Sequence, residues 1–300
     1  MVNKNNKNKR NKTFANQKRV KSVVPNRKVV KPKDKHQEVT ILVAAHKNYM
    51  MPADAIYKPV FVGNANKSKA DRPSVFVGDN SGQNISKLNN QYNELTALYW
   101  GWKNLKNQTD ALGLVHYRRY FSLQRNRGLR YILSTEEANL LLKENDFIVP
   151  KKRHYYIESN ESHYIHAHQK EPLEVTKRII KEKYPEYNNA FTKVLRSSSG
   201  HYFNMFIAKW DLMDQYSTFL FGVLEDVRKE INIESYSKNE QRALGFISEL
   251  LLDTWLETNH VKYKEVKVVF QEHQNWLVKG GNFLKRKFLS FESKVNYEED

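Results

Sequence analysis

The 300 residues contain no cysteine. Disulfide scaffolds, thiolate catalysis and Cys-based zinc sites are therefore excluded, and the absence fits a reducing cytoplasm. No run approaches the roughly 18 apolar residues that a membrane-spanning helix needs. The N-terminus is basic but lacks the apolar stretch of a secretory signal. The expectation is a cytoplasmic protein. Several signatures are also missing: a Gly-rich dinucleotide fingerprint, a Walker loop, a His-Glu-x-x-His zinc helix and a Gly-x-Ser-x-Gly elbow.

What is present argues for a packed globule. Hydrophobic residues make up 40%, with 17 Tyr, 15 Phe and 5 Trp. The net charge of +17 looks like a signal for polyanion binding, so its location matters. Residues 1–38 hold 13 Lys/Arg and 2 Asp/Glu, a local +11, which leaves +6 for the other 262 residues. That tail attracts anionic lipid, nucleic acid or acidic polymer, or is simply a solvated extension. It carries one aromatic, Phe14, which argues against a nucleic-acid-binding protein acting through it. No nucleic-acid partner is expected.

Residues 1–38 are Asn- and Lys-rich, without periodicity, and read as a disordered basic tail. Order begins at Val39–Ala45, a buried strand by its length and β-branching. Further strands are predicted at 59–63, 74–78, 112–117, 146–150, 202–208 and 266–270, with helices at 92–105, 173–183, 212–231 and 239–257. In the first of these helices Tyr92, Leu95, Leu98, Tyr99, Trp102 and Leu105 share one stripe. The alternation predicts an α/β fold, a mixed, mainly parallel sheet flanked by helices, with ligands at the carboxyl ends of the strands. The folded domain is expected over 39–275. Residues 276–300 read as a basic, amphipathic second tail, suited to a membrane surface or to an ordinary terminal helix.

Polar clusters follow the strands. Ala44, Ala45 and His46 end the first, where small residues admit a flat ring or a phosphate, or merely pack tightly. His116, Tyr117, Arg118 and Arg119 end a central strand. Adjacent arginines there face an anion or form a structural salt-bridge cluster, and guanidinium forks suit a diphosphate. His154, His163, His166 and His168 form a histidine group, of which His166 and His168 could offer two imidazoles to a metal from one face of a strand. Substrate contact and a structural role remain open for them. On the 239–257 helix, Ala243, Leu244, Ile247, Leu250, Leu251 and Trp255 form the core stripe, opposite Arg242, Gly245, Glu249 and Asp253. Gly245 costs the helix roughly 1 kcal/mol relative to Ala, which makes sense if something approaches there. Glu249 or Asp253 is the candidate catalytic base for a sugar hydroxyl, against the alternative of a solvated face. Asn204, in His201–Phe206, brings amide groups to a strand edge, as sugar hydroxyls require.

Gln83–Ser86, Asn93–Asn104, Gly113–Phe121, Pro150–Arg153, His201–Phe206 and Gly245–Leu256, in that order, resemble the bacterial polysaccharide glycosyltransferases of the domain-of-unknown-function 4422 family. The resemblance covers about residues 39–272, and His116–Phe121 is its most specific motif. It implies a glycosyltransferase A-like fold, a capsule, exopolysaccharide or lipopolysaccharide context, and a nucleotide-sugar donor. Some members are regarded as galactofuranosyltransferases, which points to UDP-galactofuranose. His116–Arg119 occupy the place where related enzymes hold a metal-binding Asp-x-Asp. This sequence has none there, so Mn²⁺ or Mg²⁺ dependence is open and Arg118 or Arg119 is left to neutralise the diphosphate. The expected assignment is then as follows. Ala44–His46 and the loop with Asp79 and Asn84 hold the nucleotide, and His116–Arg119 hold the diphosphate. Glu94, His163, His166, His168, His201, Asn204 and Arg242 contact sugar or acceptor. The implied acceptor is a lipid-linked glycan, with the basic tails on the inner face of the cell membrane. A non-catalytic scaffold of a polysaccharide assembly complex is the alternative.

Overall fold

The computed structural model describes residues 38–124, 128–155 and 157–271. Along the chain run β1 (Val39–Ala45), β2 (Tyr57–Phe61), β3 (Val77–Gly78), α1 (Asn89–Tyr92), α2 (Leu95–Asn104), β4 (Ala111–His116) and β5 (Arg119–Ser122). Then come α3 (Thr135–Glu144), β6 (Phe147–Pro150), β7 (Arg153–His154), α4 (Asn160–Ala167), α5 (Lys170–Lys183) and α6 (Asn188–Arg196). The last are β8 (Ser199–Gly200), β9 (Phe206–Lys209), α7 (Trp210–Glu230), α8 (Ala243–Thr258) and β10 (Tyr263–Phe270). Both basic tails predicted from the sequence lie outside the described residues, apart from Glu38.

The sheet has two characters. β3, β2, β1 and β4 are parallel neighbours, the predicted Rossmann-like half. Beyond them β4–β5, β5–β10, β6–β9 and β4–β9 are antiparallel, while β6–β10 is parallel. Because β9 bonds both β6 and β4, the strands β4, β5, β10, β6 and β9 close into a ring. Gly113 makes this closure possible: a Cβ there would lie 2.9 Å from the Phe206 carbonyl oxygen on β9.

One core lies under α2, α5, α6, α7 and α8, and a second under α3 on the other face of the sheet. The predicted α8 stripe is buried throughout, and Trp255 packs among Phe147 and Tyr216. The predicted 92–105 helix is interrupted at Asn93, whose φ of 50° no helix accommodates. The predicted 202–208 strand begins only at Phe206, since Phe203 (φ 80°) and Asn204 (φ 53°) leave the extended region. The predicted 74–78 strand shrinks to two residues. Helices α3, α4 and α6 were not anticipated, although α3 opens with a Ser134–Glu137 capping box.

Candidate active site

A cleft of about 570 Å³ opens at the carboxyl ends of β1 and β4. Ala44, Ala45 and His46 form its floor where β1 ends. The His116–Arg119 run is a tight hairpin. His116 closes β4 opposite Arg119 on β5, and Tyr117 and Arg118 form the two-residue tip. The turn aims four side chains into the cleft instead of alternating them across a strand. Tyr49 stacks on Tyr117 with centroids 3.7 Å apart, and the Arg118 guanidinium lies over Tyr117 at 4.9 Å.

Arg119 carries the strongest signal of a site for an anion. Its Nε is buried with no hydrogen-bond partner, and among the described residues it makes no ion pair. Its guanidinium rests 4.3 Å from the Phe203 ring centroid. Glu249 and Glu94 act on this half-buried guanidinium only through space, without an ion pair, and an anionic ligand in the cleft would complete its charge balance.

The far wall comes from α4 and α8. His163 stacks on Tyr155 at 3.8 Å, and His168 stacks on Phe246 at 3.8 Å. His163 Nδ1 is 3.4 Å from Glu158, and His168 Nδ1 is 3.4 Å from Glu240. These flat faces suit a sugar ring. Arg242 closes the wall, its Nε donating to Asn93 Oδ1 at 3.0 Å. Gly245 lets Asn93 in: a Cβ there would lie 2.5 Å from the Asn93 amide nitrogen. The close neighbour inferred from the glycine is thus a side chain of the protein itself.

Glu249 reaches the cleft from α8. Burial, then the charge of Glu94, pushes its pKa up to about 7, while the Phe203 N–H and the charges of Arg119 and Arg153 pull the other way. Glu249 Oε1 accepts from the Phe203 N–H at 3.0 Å, and the Phe203 carbonyl accepts from His116 Nε2 at 2.6 Å. These two bonds hold Phe203 in a left-handed conformation that costs a bulky residue ~1–3 kcal/mol. Burial keeps the His116 pKa low, so the ring is neutral with its proton on Nε2.

Several expected contacts lie elsewhere. Asp253 does not reach this cleft. It bonds His201 through the ring Nδ1 and, at 2.9 Å, through the backbone N–H, and it lines a separate hollow beside Lys152 and Lys193. Burial pushes the Asp253 carboxyl up, but the bonds from His201 outweigh it and leave the pKa below the ordinary value. His201 is fully buried between Asp253 and Glu265, 3.1 Å from the latter. It sits behind the wall, held by these two carboxylates. Asn204 is buried one layer back, donating to Glu94 Oε1 at 2.7 Å and to the Gly245 carbonyl at 3.1 Å. Asp79 pins a loop by accepting from Gly63 N at 2.8 Å, Asn64 N at 3.0 Å and the Ser86 hydroxyl. Asn84 stays within that loop, donating to the Gly82 carbonyl at 2.9 Å. His166 lies on a helix, not a strand, half-exposed and bonded to Glu158 at 3.0 Å. The two-imidazole geometry predicted for a strand is therefore absent, and exposed His154 lines no described cleft. The sequence reading missed Tyr155, Phe203 and Phe246. Their signal was the aromatic residues interleaved with the polar motifs.

Glu94, which accepts from Asn204, and Glu249 are the two carboxylates that line the cleft, and no group of three potential metal ligands occurs among the described residues.

The apo structure of WbbM, a bifunctional glycosyltransferase, superposes with a TM-score of 0.71 at 28% identity, covering 79% of this chain and 46% of that one. The fold is therefore glycosyltransferase A-like, and the chain matches less than half of WbbM's length. The model of the domain of unknown function DUF4422 matches residues 40–260, and the chain belongs to this family. The comparison with curated proteins finds no match.

Proposed function

We propose that this chain is a glycosyltransferase that moves one sugar from a UDP-linked donor, with galactofuranose the sugar the family resemblance implies, to a hydroxyl of a growing, lipid-linked surface polysaccharide. The observation that carries the reading is Arg119: a guanidinium with a buried, unpartnered Nε, facing across the cleft to a carboxyl with a pKa of about 7. The bond from the anomeric carbon to the diphosphate oxygen breaks. A bond from that carbon to the acceptor oxygen forms, and the hydroxyl proton passes to the Glu249 carboxylate. Arg119 and Arg118 neutralise the departing diphosphate, whose growing charge is the main electrostatic demand of the reaction. Tyr155, His163, His168 and Phe246 supply faces for sugar rings. No helix among the described residues is long and apolar enough to cross a membrane, so contact with a lipid-linked acceptor is proposed to be peripheral.

The test is thermal shift and donor hydrolysis with UDP-galactofuranose, UDP-galactose, GDP-, CMP- and dTDP-sugars, with Mn²⁺ and with EDTA. The expected result is stabilisation by UDP and its sugars that persists in EDTA and is lost in Arg119→Ala. No response to any donor would overturn the reading.

A further inference from the structure

A second groove of about 520 Å³ lies beside the cleft, on the other side of Phe203. Three consecutive cations, Lys151, Lys152 and Arg153, line it directly after β6, and Lys267 joins them from β10. The strand register explains the clustering. β6 and β10 run parallel with Pro150 beside Val266, and the Lys151 N–H donates to the Val266 carbonyl at 2.9 Å. This sets Lys151 next to Lys267. Among the described residues no carboxylate lines the groove, and Lys151, Lys152 and Lys267 make no ion pair. Lys152 also faces Asp253, and Arg153 lies over the Phe203 ring, but Lys151 and Lys267 stand side by side with no carboxylate between them, and the concavity they share attracts an anion. The rest of the wall is apolar, with half-buried Val268 and Phe270 beside the Phe203 ring.

Phe203 is the partition between the two hollows. Arg119 lies over its ring at 4.3 Å from the cleft side, and Arg153, a groove residue, at 5.2 Å. The Phe203 N–H bonds Glu249, so the carboxyl sits at the junction.

We infer that this groove is the acceptor-side site and binds a phosphate- or diphosphate-bearing amphiphile, its anion on Lys151, Lys152 and Lys267 and its apolar part along Val268 and Phe270. The acceptor role rests on the transferase reading; the phosphate site itself does not. An acceptor anchored there presents its sugar over Phe203 to Glu249, while the donor diphosphate stays on Arg119. The two anions are thereby held apart, each on its own cations.

The test uses the full chain and calorimetric titration with dodecyl phosphate below its micellar concentration and, separately, with inorganic phosphate. The groove variant is Lys151→Glu/Lys267→Glu. A charge-matched control, Lys106→Glu/Lys181→Glu, reverses two exposed lysines elsewhere. Dodecyl phosphate is expected to bind the groove variant at least tenfold more weakly than the wild type, and the control and Arg119→Ala within about threefold of it. UDP is expected to bind the groove variant normally and Arg119→Ala poorly. Tighter binding of dodecyl phosphate than of inorganic phosphate supports a lipid headgroup with its chain on the apolar wall. Equal binding supports a site for the phosphate anion alone and overturns the amphiphile. Equal weakening in the groove variant and the control would reduce the effect to net charge and overturn the site. Loss of dodecyl phosphate binding in Arg119→Ala would move the anion to the main cleft, with the same consequence. Absence of UDP binding alongside intact dodecyl phosphate binding would instead remove the transferase reading and leave a phosphate groove.

Discussion

Glu249 and Asp253 stand one turn apart on the same helix, yet their surroundings drive them in opposite directions. Glu249 has Glu94 as a neighbour, a single backbone N–H as a bond, and the through-space charges of Arg119 and Arg153. Asp253 has a histidine bonded to it twice. Burial acts upward on both. The bonds outweigh it at Asp253, while at Glu249 the neighbouring charge adds to it. One carboxyl is therefore poised to exchange a proton near neutral pH, and the other is a fixed anchor for the strand-like segment before Phe203.

The comparison breaks most sharply in activity. Glu249→Gln keeps the volume and the bond to the Phe203 N–H, and should lower kcat by about 10²–10⁴-fold without loss of fold. Steady-state transfer rates beside a circular-dichroism melt check this, and a variant of near wild-type rate would return the base to another group. Asp253→Asn should do the reverse. It leaves His201 facing a weaker partner in the core and should cost about 2–4 kcal/mol of stability, read by urea denaturation. That deficit should shrink on acidification. The Asp253 pKa is lowered by folding, so its stabilisation is present above the ordinary carboxylate value and lost as pH falls through the folded one.

A smaller effect separates the two carboxyls by pH. Folding raises the Glu249 pKa, so its contribution is complete below the ordinary value near 4.5 and is lost as pH rises through about 7. Glu249→Gln should then be more stable than the wild type at pH 8, by about 1–2 kcal/mol since cleft water moderates the penalty, and equal to it near pH 4. Parallel melts at the two pH values decide it. The smallest expected change is kinetic: kcat/KM should rise with pH through about 7, and Asp253→Asn should leave that midpoint in place.

The order of strands and helices in the parallel half was legible because a buried strand such as Val39–Ala45 and a core stripe such as Leu244–Trp255 carry their periods openly. Arg119 was legible as a residue of the cleft, since it closely follows a buried strand, although the sequence left open whether it faces an anion or a salt-bridge cluster. The distinction between Glu249 and Asp253 was not. Helical spacing puts both on one stripe, and what separates them is His201, 52 residues earlier in the chain. Asn204 was found as a polar group near the site but not as its second layer, because its burial depends on Glu94 from another element. His166 was misplaced with its secondary structure. The Ser159 side chain caps the start of α4, so a period of 3.6 applies to His163, His166 and their neighbours in place of the strand period of two.

The closed ring of strands has a consequence for how the protein behaves in crowded solution. A sheet that ends in an exposed strand offers its unpaired amides to any other chain. Here the ring of β4, β5, β10, β6 and β9 removes that margin on one side. On the other, among the described residues, the border is two-residue β3 and the uncovered start of β2, where Pro59 has no N–H to donate. Little is left for a stray strand to extend. Among the described residues, the sheet therefore presents only short stretches of open edge for another chain to pair with.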